Sequence, residues 1–310
     1  MSSGNAGVDV VLATYNGARF LPQQLASIAA QDGVDWRLLV RDDGSRDATR
    51  AIVDAFACAH PGRVVWIDDG EVGLGAARSF GRLLAASTAP YVFSCDQDDV
   101  WLPGKLVASV AQLTAAEREW GHDAPLLVHT DLRVVDEEMR TIAPSMNRYQ
   151  HLGAHVRSSL RALMVQNCVT GCTAGMNRAL LDVALPLPPQ AIMHDWWLAL
   201  TASAFGKVVY LDDVSVAYRQ HGTNAVGARR YDLRVRPAVG EMRASLERTF
   251  DQVGVFHARF GPRLEAPAAQ LVRYYAELAD AGPLGRRWRV VRSGFWKHGL
   301  ARNLAMLLVL

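Results

Sequence analysis

Apolar and polar stretches alternate with a regular beat through the first 120 residues. VDVVLA (8–13) is a near-continuous apolar run, followed by RFLPQQLASIAAQ, which has a helical period. WRLLV (36–40) then precedes RDATRAIVDAFACAH, RVVWI (63–67) precedes AARSFGRLLAAS, and YVFSC (91–95) precedes PGKLVASVAQLTAAEREW, with Pro103 near the first turn of that helix. Apolar runs without internal alternation read as strands buried on both faces, and helices between them supply parallel crossovers. The expected fold class is therefore α/β, with a mostly parallel sheet flanked by helices.

The second half is less regular. LLVHTDLRVV (126–135), NCVTGCTAGMN (167–177) and KVVYLDDVSVAYRQHG (207–222) read as strands with polar ends, and MHDWWLALTASAFG (193–206) reads as a helix. From 226 onward the pattern is helical without a strand signal. This divides the chain into a body, 1–225, and a C-terminal helical region, 226–310.

Ligands of such sheets gather at the carboxyl ends of the strands, and three polar clusters fall there: TYNG (14–17), RDDGS (41–45) and DQDD (96–99). Carboxylates about 5 Å apart repel by roughly 3 kcal/mol at an effective dielectric near 20, so crowding in DQDD calls for an offset. In an extended segment Asp96 and Asp98 share a side, where two hard oxygen donors suit Mg²⁺ or Mn²⁺ sharing its coordination with phosphates. Asp99 then points elsewhere or helps start the next helix. An exposed acidic turn is the competing reading. Asp42 is either an acceptor for the imide N–H of a pyrimidine base or part of a turn and helix cap. GEVGLGAARSF lacks a full GxGxxG; Arg78, on a first helical turn, either reaches a phosphate or is simply exposed. In HDWW, Asp195 beside Trp196 and Trp197 has the composition of a sugar pocket with a general base, or else of an ordinary helix start. His221, at a strand end, is either a further metal ligand or structural.

Charge is unevenly spread. The formal net charge is +2, but residues 226–310 carry 15 Lys and Arg against 7 Asp and Glu, while residues 1–225 carry 18 against 24. An acidic body supplies no broad basic groove, so nucleic acid is not an expected partner. The four cysteines (58, 95, 168 and 172) show no CxxC pair and no zinc spacing, which suggests small buried hydrophobes in a reducing compartment. MSSGNAG is not a secretory signal and no apolar run reaches about 20 residues, so the expected location is cytoplasmic.

Taken in order, TYNG, RDDGSRDAT, CDQDDVWLPGKL, HDWW and YRQHGTN resemble glycosyltransferase family 2, the inverting GT-A enzymes that use nucleotide-diphosphate sugars. The resemblance spans roughly residues 8–225. Its combination QDDVW, HDWW and YRQHG is similar to a bacterial rhamnosyltransferase-like branch using dTDP-L-rhamnose. It implies that Thr14, Tyr15, Asn16 and Asp42 hold the nucleotide with Arg78, and that Asp96 lies near ribose and metal. It further implies that Asp98 and His221 serve the metal, that Asp195 is the base, and that Trp101, His194, Trp196, Trp197 and Arg219 shape the sugar and acceptor pockets. Ser79 departs from the Asn of many relatives and is left out of the site. The implied reaction moves a sugar to a glycan or lipid-linked acceptor of a surface polysaccharide. A UDP-hexose donor, a non-catalytic nucleotide- or glycan-binding scaffold, and a nucleotidyltransferase are the alternatives.

The tail fits this setting. Residues 281–310 hold Arg286, Arg287, Arg289, Arg292, Lys297 and Arg302 with no acid, interleaved with Trp288, Phe295, Trp296 and Leu300. That composition suits an interfacial helix on the cytoplasmic face of an inner membrane, or a helix packed on the body or forming a dimer contact.

Overall fold

The computed structural model describes residues 7–150, 159–222 and 239–310. The opening MSSGNA, Thr223 and Asn224 of YRQHGTN, and the body–tail boundary at 225 lie outside the described residues. The first half runs β1 (Val8–Thr14), α1 (Leu21–Ala29), β2 (Trp36–Asp42), α2 (Thr49–Ala59), β3 (Val64–Trp66), α3 (Ala76–Ala86), β4 (Tyr91–Cys95), β5 (Val100–Trp101) and α4 (Lys105–Trp120). Then come β6 (Leu126–Val135), β7 (Thr141–Ala143), α5 (Met146–Tyr149), α6 (Leu160–Val165), β8 (Gly175–Asn177), α7 (Arg178–Ala184), α8 (His194–Phe205) and β9 (Lys207–Arg219). Four helices follow: α9 (Val239–Phe260), α10 (Ala266–Ala276), α11 (Pro283–Ser293) and α12 (Leu300–Val309).

One nine-stranded sheet has the order β3-β2-β1-β4-β8-β6-β9-β5, with β7 on β6. β1 pairs in parallel with β2 and β4, and β2 with β3, which is the half that the βα alternation predicts. Beyond β4 the sheet is mixed: β8 runs antiparallel to both neighbours, whereas β6 and β9 are parallel. β1 is central, so its side chains are buried on both faces, including Asp9 at 0% exposure. Burial alone would raise the pKa of Asp9, but two bonds from Arg37 (2.8 and 2.9 Å) and the amides of Thr88 and Ala89 outweigh it and hold it low.

Only Gly175–Asn177 of the stretch 167–177 is strand; Gly171–Thr173 is a 3-10 turn. Gly175 is required here, because a Cβ would lie 2.2 Å from Phe93 Cε1 where β8 crosses β4. None of the cysteines is in a disulfide, but Cys58 is exposed and Cys168 half-buried, so only Cys95 and Cys172 are buried as expected.

Two cores sandwich the sheet. One joins α1 and α4 to the sheet through Leu21, Leu25, Leu106 and Leu113. The other joins α3, α7 and α8 to the C-terminal helices, with Trp197 beside Phe256 and Phe260 of α9. Residues 239–310 thus share the body's core. Among the described residues, no helix is long and apolar enough to cross a membrane.

Candidate active site

The carboxyl edge of the parallel half is stapled into one surface. Thr14, ending β1, donates to Asp42, ending β2, at 3.0 Å, and Ser45 adds a backbone N–H at 2.9 Å and its hydroxyl to the same carboxylate. The TYNG loop turns through a left-handed Asn16 (φ 47°). Its successive amides donate to the second loop: Asn16 to Ser45 Oγ, Gly17 to Thr49 Oγ1 and Ala18 to Asp47. The Gln97 amide clamps the Tyr15 backbone from the third loop, accepting at 2.9 Å and donating at 3.0 Å. Tyr15 itself is 56% exposed. Asp42 borders a hollow with Arg50, Trp66, Asp68 and Gly70.

Asp69 and Glu71, which also line that hollow, belong to an ion network around Arg41. Arg41, 1% exposed, bonds Asp43, Asp69, Ser79 Oγ and the Glu71 carbonyl. Asp43 also accepts the amides of Leu74 and Gly75, which fixes the loop entering α3. Burial would raise Asp43, but Arg41 and those amides dominate and hold its pKa low. Ser79 thus has a structural role as a guanidinium partner.

The DQDD acids behave oppositely. Burial, then the charges of Asp98 and Asp195, push Asp96 up to about 7. Burial, then Asp98 and Asp96, push Asp99 well above the ordinary range, although the Arg219 amide donates to it at 3.0 Å. The expected metal residues fall into two neighbouring groups. His221 Nε2 lies 2.9 Å from Asp98 Oδ2, while Asp96 groups with Asp99 and Cys172, whose ligand atoms lie within 4.8 Å of one another. Residues 97–98 form a turn, so two-residue alternation does not apply and Asp99 turns inward. Nor does Asp99 cap α4, whose N-cap is Gly104. The donors are mainly carboxylate oxygens under mutual repulsion, and such a set fits a hard divalent cation.

Asp195 stands on the first turn of α8, 8% exposed. Burial raises its pKa to about 6 against hydrogen bonds from the Trp196 and Gly171 amides and the Asn167 side chain. Its charge acts on Asp96, so Asp195 lies near the acidic cluster. His194, 2% exposed, stacks on Phe80 at 3.9 Å, and burial drives its pKa down to about 3. It is therefore neutral at working pH.

Several expected pocket residues lie elsewhere. Trp197 is 0% exposed, with its indole N–H on the Ala184 carbonyl; α8 is apolar on most sides and this side faces the α9 core. Trp101, 2% exposed, belongs to the opposite core with the Lys105 ammonium 5.0 Å over its ring. Neither is a sugar-pocket wall. Trp196 is half-buried, with its indole N–H on the Leu163 carbonyl of α6. Arg219, 1% exposed, clamps the acidic turn through the Asp98 and Glu137 carbonyls and Gln23, so it positions that loop instead of facing a ligand. Arg78 is exposed on the first turn of α3.

The motif reading passed over Trp66, Asp68 and Asp69 at the end of β3, although the edge rule that found the other loops applies there too. Gln97, Asn167 and Cys172 carry no local signal, because their roles come from chain that is distant in sequence.

The polar loops at the parallel edge, the acidic turn after β4 and the mixed sheet beyond it define a GT-A glycosyltransferase fold. The family model for glycosyl transferase family 2 matches residues 9–182, and the chain belongs to that family. It is 27% identical over 224 residues to an uncharacterized glycosyltransferase, alr2836, of Nostoc sp., covering 70% of this chain and 66% of that one. It is 25% identical over 228 residues to the dTDP-rhamnosyl transferase RfbG of Shigella flexneri, covering 70% and 74%. The chain thus spans about two thirds to three quarters of those relatives. The mannosyltransferase PcManGT of Pyrobaculum calidifontis, solved with GDP-Man and Mn²⁺, superposes with a TM-score of 0.57 at 18% identity, over 94% of this chain and 74% of that one.

Proposed function

We propose that the chain is an inverting, divalent-cation-dependent glycosyltransferase of bacterial surface polysaccharide assembly, moving L-rhamnose from dTDP-L-rhamnose to a glycan or lipid-linked acceptor at a membrane surface. The observation that carries the reading is Asp195: a buried carboxyl with a pKa near 6, ionised at neutral pH, beside the acidic turn at the sheet edge. A base poised near working pH is what proton removal from an acceptor hydroxyl requires. The donor assignment is supported by the motif combination and by the rhamnosyl relative.

Asp42 accepts from the base of the nucleotide in the hollow, with the TYNG backbone and Arg78 alongside. Asp98 and His221, with Asp96, would hold Mg²⁺ or Mn²⁺, which would supply positive charge to offset that on the diphosphate. Asp195 takes the acceptor's proton as the hydroxyl oxygen bonds to the anomeric carbon, and the carbon–oxygen bond to the nucleoside diphosphate breaks on the opposite face. One displacement inverts the centre, so dTDP-β-L-rhamnose yields an α-L-rhamnoside. His194 and Trp196 border the acceptor side.

The test is release of nucleoside diphosphate by the purified protein with Mg²⁺ or Mn²⁺ and a membrane lipid extract, across dTDP-rhamnose, UDP-hexoses and GDP-mannose. Release from dTDP-rhamnose, abolished by Asp195→Asn and Asp98→Ala, is expected. Release from a UDP-hexose instead overturns the donor, and nucleotide binding without turnover on a competent acceptor overturns the enzyme reading.

A further inference from the structure

The two C-terminal helices each bury one apolar face and expose another. Val290 of α11 and Met306 and Val309 of α12 lie in the core, as does Phe295 between the helices. On the outside of α11, Leu284, Trp288 and Val291 are 79%, 57% and 54% exposed, at positions i, i+4 and i+7 of one face. On the outside of α12, Leu300, Leu304 and Leu308 are 82%, 59% and 78% exposed, again four apart. Burial in the body explains the inner faces and leaves these outer ones without a role. The helices are tied to each other by Arg287 Nε on the Leu307 carbonyl at 2.8 Å.

Every charged side chain within the segment bearing the two stripes is basic, and Glu277, after α10, pairs with Arg289 at 3.5 Å. Six Lys and Arg and no Asp or Glu occur in residues 281–310, and the Arg292 guanidinium lies 5.1 Å over the exposed Trp288 ring. A second copy of the chain docking here would bring the same cations against themselves. A bilayer carrying anionic headgroups offers hydrocarbon for the leucines and opposite charge for the arginines. Helices of 11 and 10 residues are about 16 Å long, half of the roughly 30 Å of hydrocarbon that a spanning helix must cross, so they would lie along the surface.

This element also touches the site. His298, in the α11–α12 connection, donates its amide to Gln166 Oε1 at 3.0 Å. The next residue, Asn167, hydrogen-bonds the Asp195 carboxylate, and Arg161 of α6 bonds the Ser293 carbonyl at the end of α11. The connection between the two helices is therefore linked to Asp195 through Gln166 and Asn167.

We propose that α11 and α12 form a paired interfacial anchor that seats this protein on an anionic membrane surface and sets the Asp195 side of the site toward lipid-linked acceptors. The anchor stands on the exposed stripes and their charge; only the clause about acceptors rests on the transferase reading.

The test is sedimentation of the whole protein with vesicles that contain no acceptor and no nucleotide sugar, either phosphatidylcholine alone or with about a third phosphatidylglycerol. Binding at least tenfold tighter to the anionic vesicles, and weakened by salt, is expected. Leu304→Glu with Leu308→Glu should weaken it at least tenfold, Arg292→Glu should weaken it on anionic vesicles alone, and thermal midpoints should stay near that of the wild type. Equal binding to both vesicles, no binding, or wild-type binding by the glutamate variants would overturn the proposal. So would a wild-type dimer that the glutamate pair converts to monomer while vesicle binding persists. Vesicle binding without any turnover would sink the transferase reading and leave the anchor standing.

Discussion

Replacing Asp96 by Asn should make the metal-free protein more stable at alkaline pH. Burial, then the charges of Asp98 and Asp195, raise the Asp96 carboxyl from the ordinary aspartate range, about 4, to about 7 in the fold. At about 1.4 kcal/mol per pH unit, that is roughly 4 kcal/mol against the ionised folded state above pH 7. The fold binds this proton more tightly than the unfolded chain does. The stabilising effect is therefore complete below pH 4 and is lost as pH rises through 7. Asn has the same shape and no charge, so in EDTA at pH 8 the variant should gain on the order of 4 kcal/mol, about 6 °C in Tm for a chain of this length. At pH 4.5 the gain should shrink to about 1 kcal/mol, because the wild-type carboxyl is already protonated in the fold. Thermal unfolding of both proteins at the two pH values measures this. Adding Mg²⁺ or Mn²⁺ should raise the wild-type midpoint at pH 8 and leave the variant nearly unmoved. An Asn variant that is less stable at pH 8, or a gain independent of pH, would refute the reasoning.

Asp195→Asn should cost about 10²- to 10⁴-fold in turnover with nucleotide affinity retained, and the wild-type pH–rate profile should fall away below about pH 6, the value to which burial raises this carboxyl. Steady-state kinetics beside nucleotide titration separates the two effects. Arg41→Met should destabilise by about 3–5 kcal/mol, because Asp43 loses its buried counter-charge; chemical denaturation reads it. Gly175→Ala should cost about 1–3 kcal/mol, since the new methyl would meet the Phe93 ring, and the same unfolding measurement checks it.

The parallel half of the fold is legible in the sequence because each of its strands is an uninterrupted apolar run, and burial on both faces leaves no polar alternation to confuse it. The mixed half is not. β8 is three residues long, and its antiparallel seat between β4 and β6 depends on Gly175 having no Cβ rather than on any period. The loops bearing Asp42, Asp96 and Asp195 can be located from the sequence because they follow strands or open a helix. What their side chains touch could not be read, since a turn at 97–98 breaks the alternation that assigned Asp96 and Asp98 to one side. The tryptophans misled for a related reason. HDWW looks like a pocket by composition, but helix α8 has core on most sides and takes Trp197 into it.

Two groups of carboxylates share the carboxyl edge of this sheet, and the fold treats them in opposite ways. Asp43 and Asp69 enclose Arg41, and their pKa values lie low. Asp99 is buried and Asp96 half-buried near Asp98, and theirs lie high. Asp43 and Asp69, with their own counter-charge, form a strut for the loop entering α3. Asp96 and Asp99 hold free energy that protonation or a cation would release, and Arg219 fixes their turn, its side chain donating to the Asp98 carbonyl and its backbone N–H to the Asp99 carboxylate. A chain selected for stability alone would relieve that strain with a single amide. Retaining it beside Asp195 is consistent with a site that binds charge from outside, and the Asp96→Asn comparison with and without divalent cation tests that difference between the two groups.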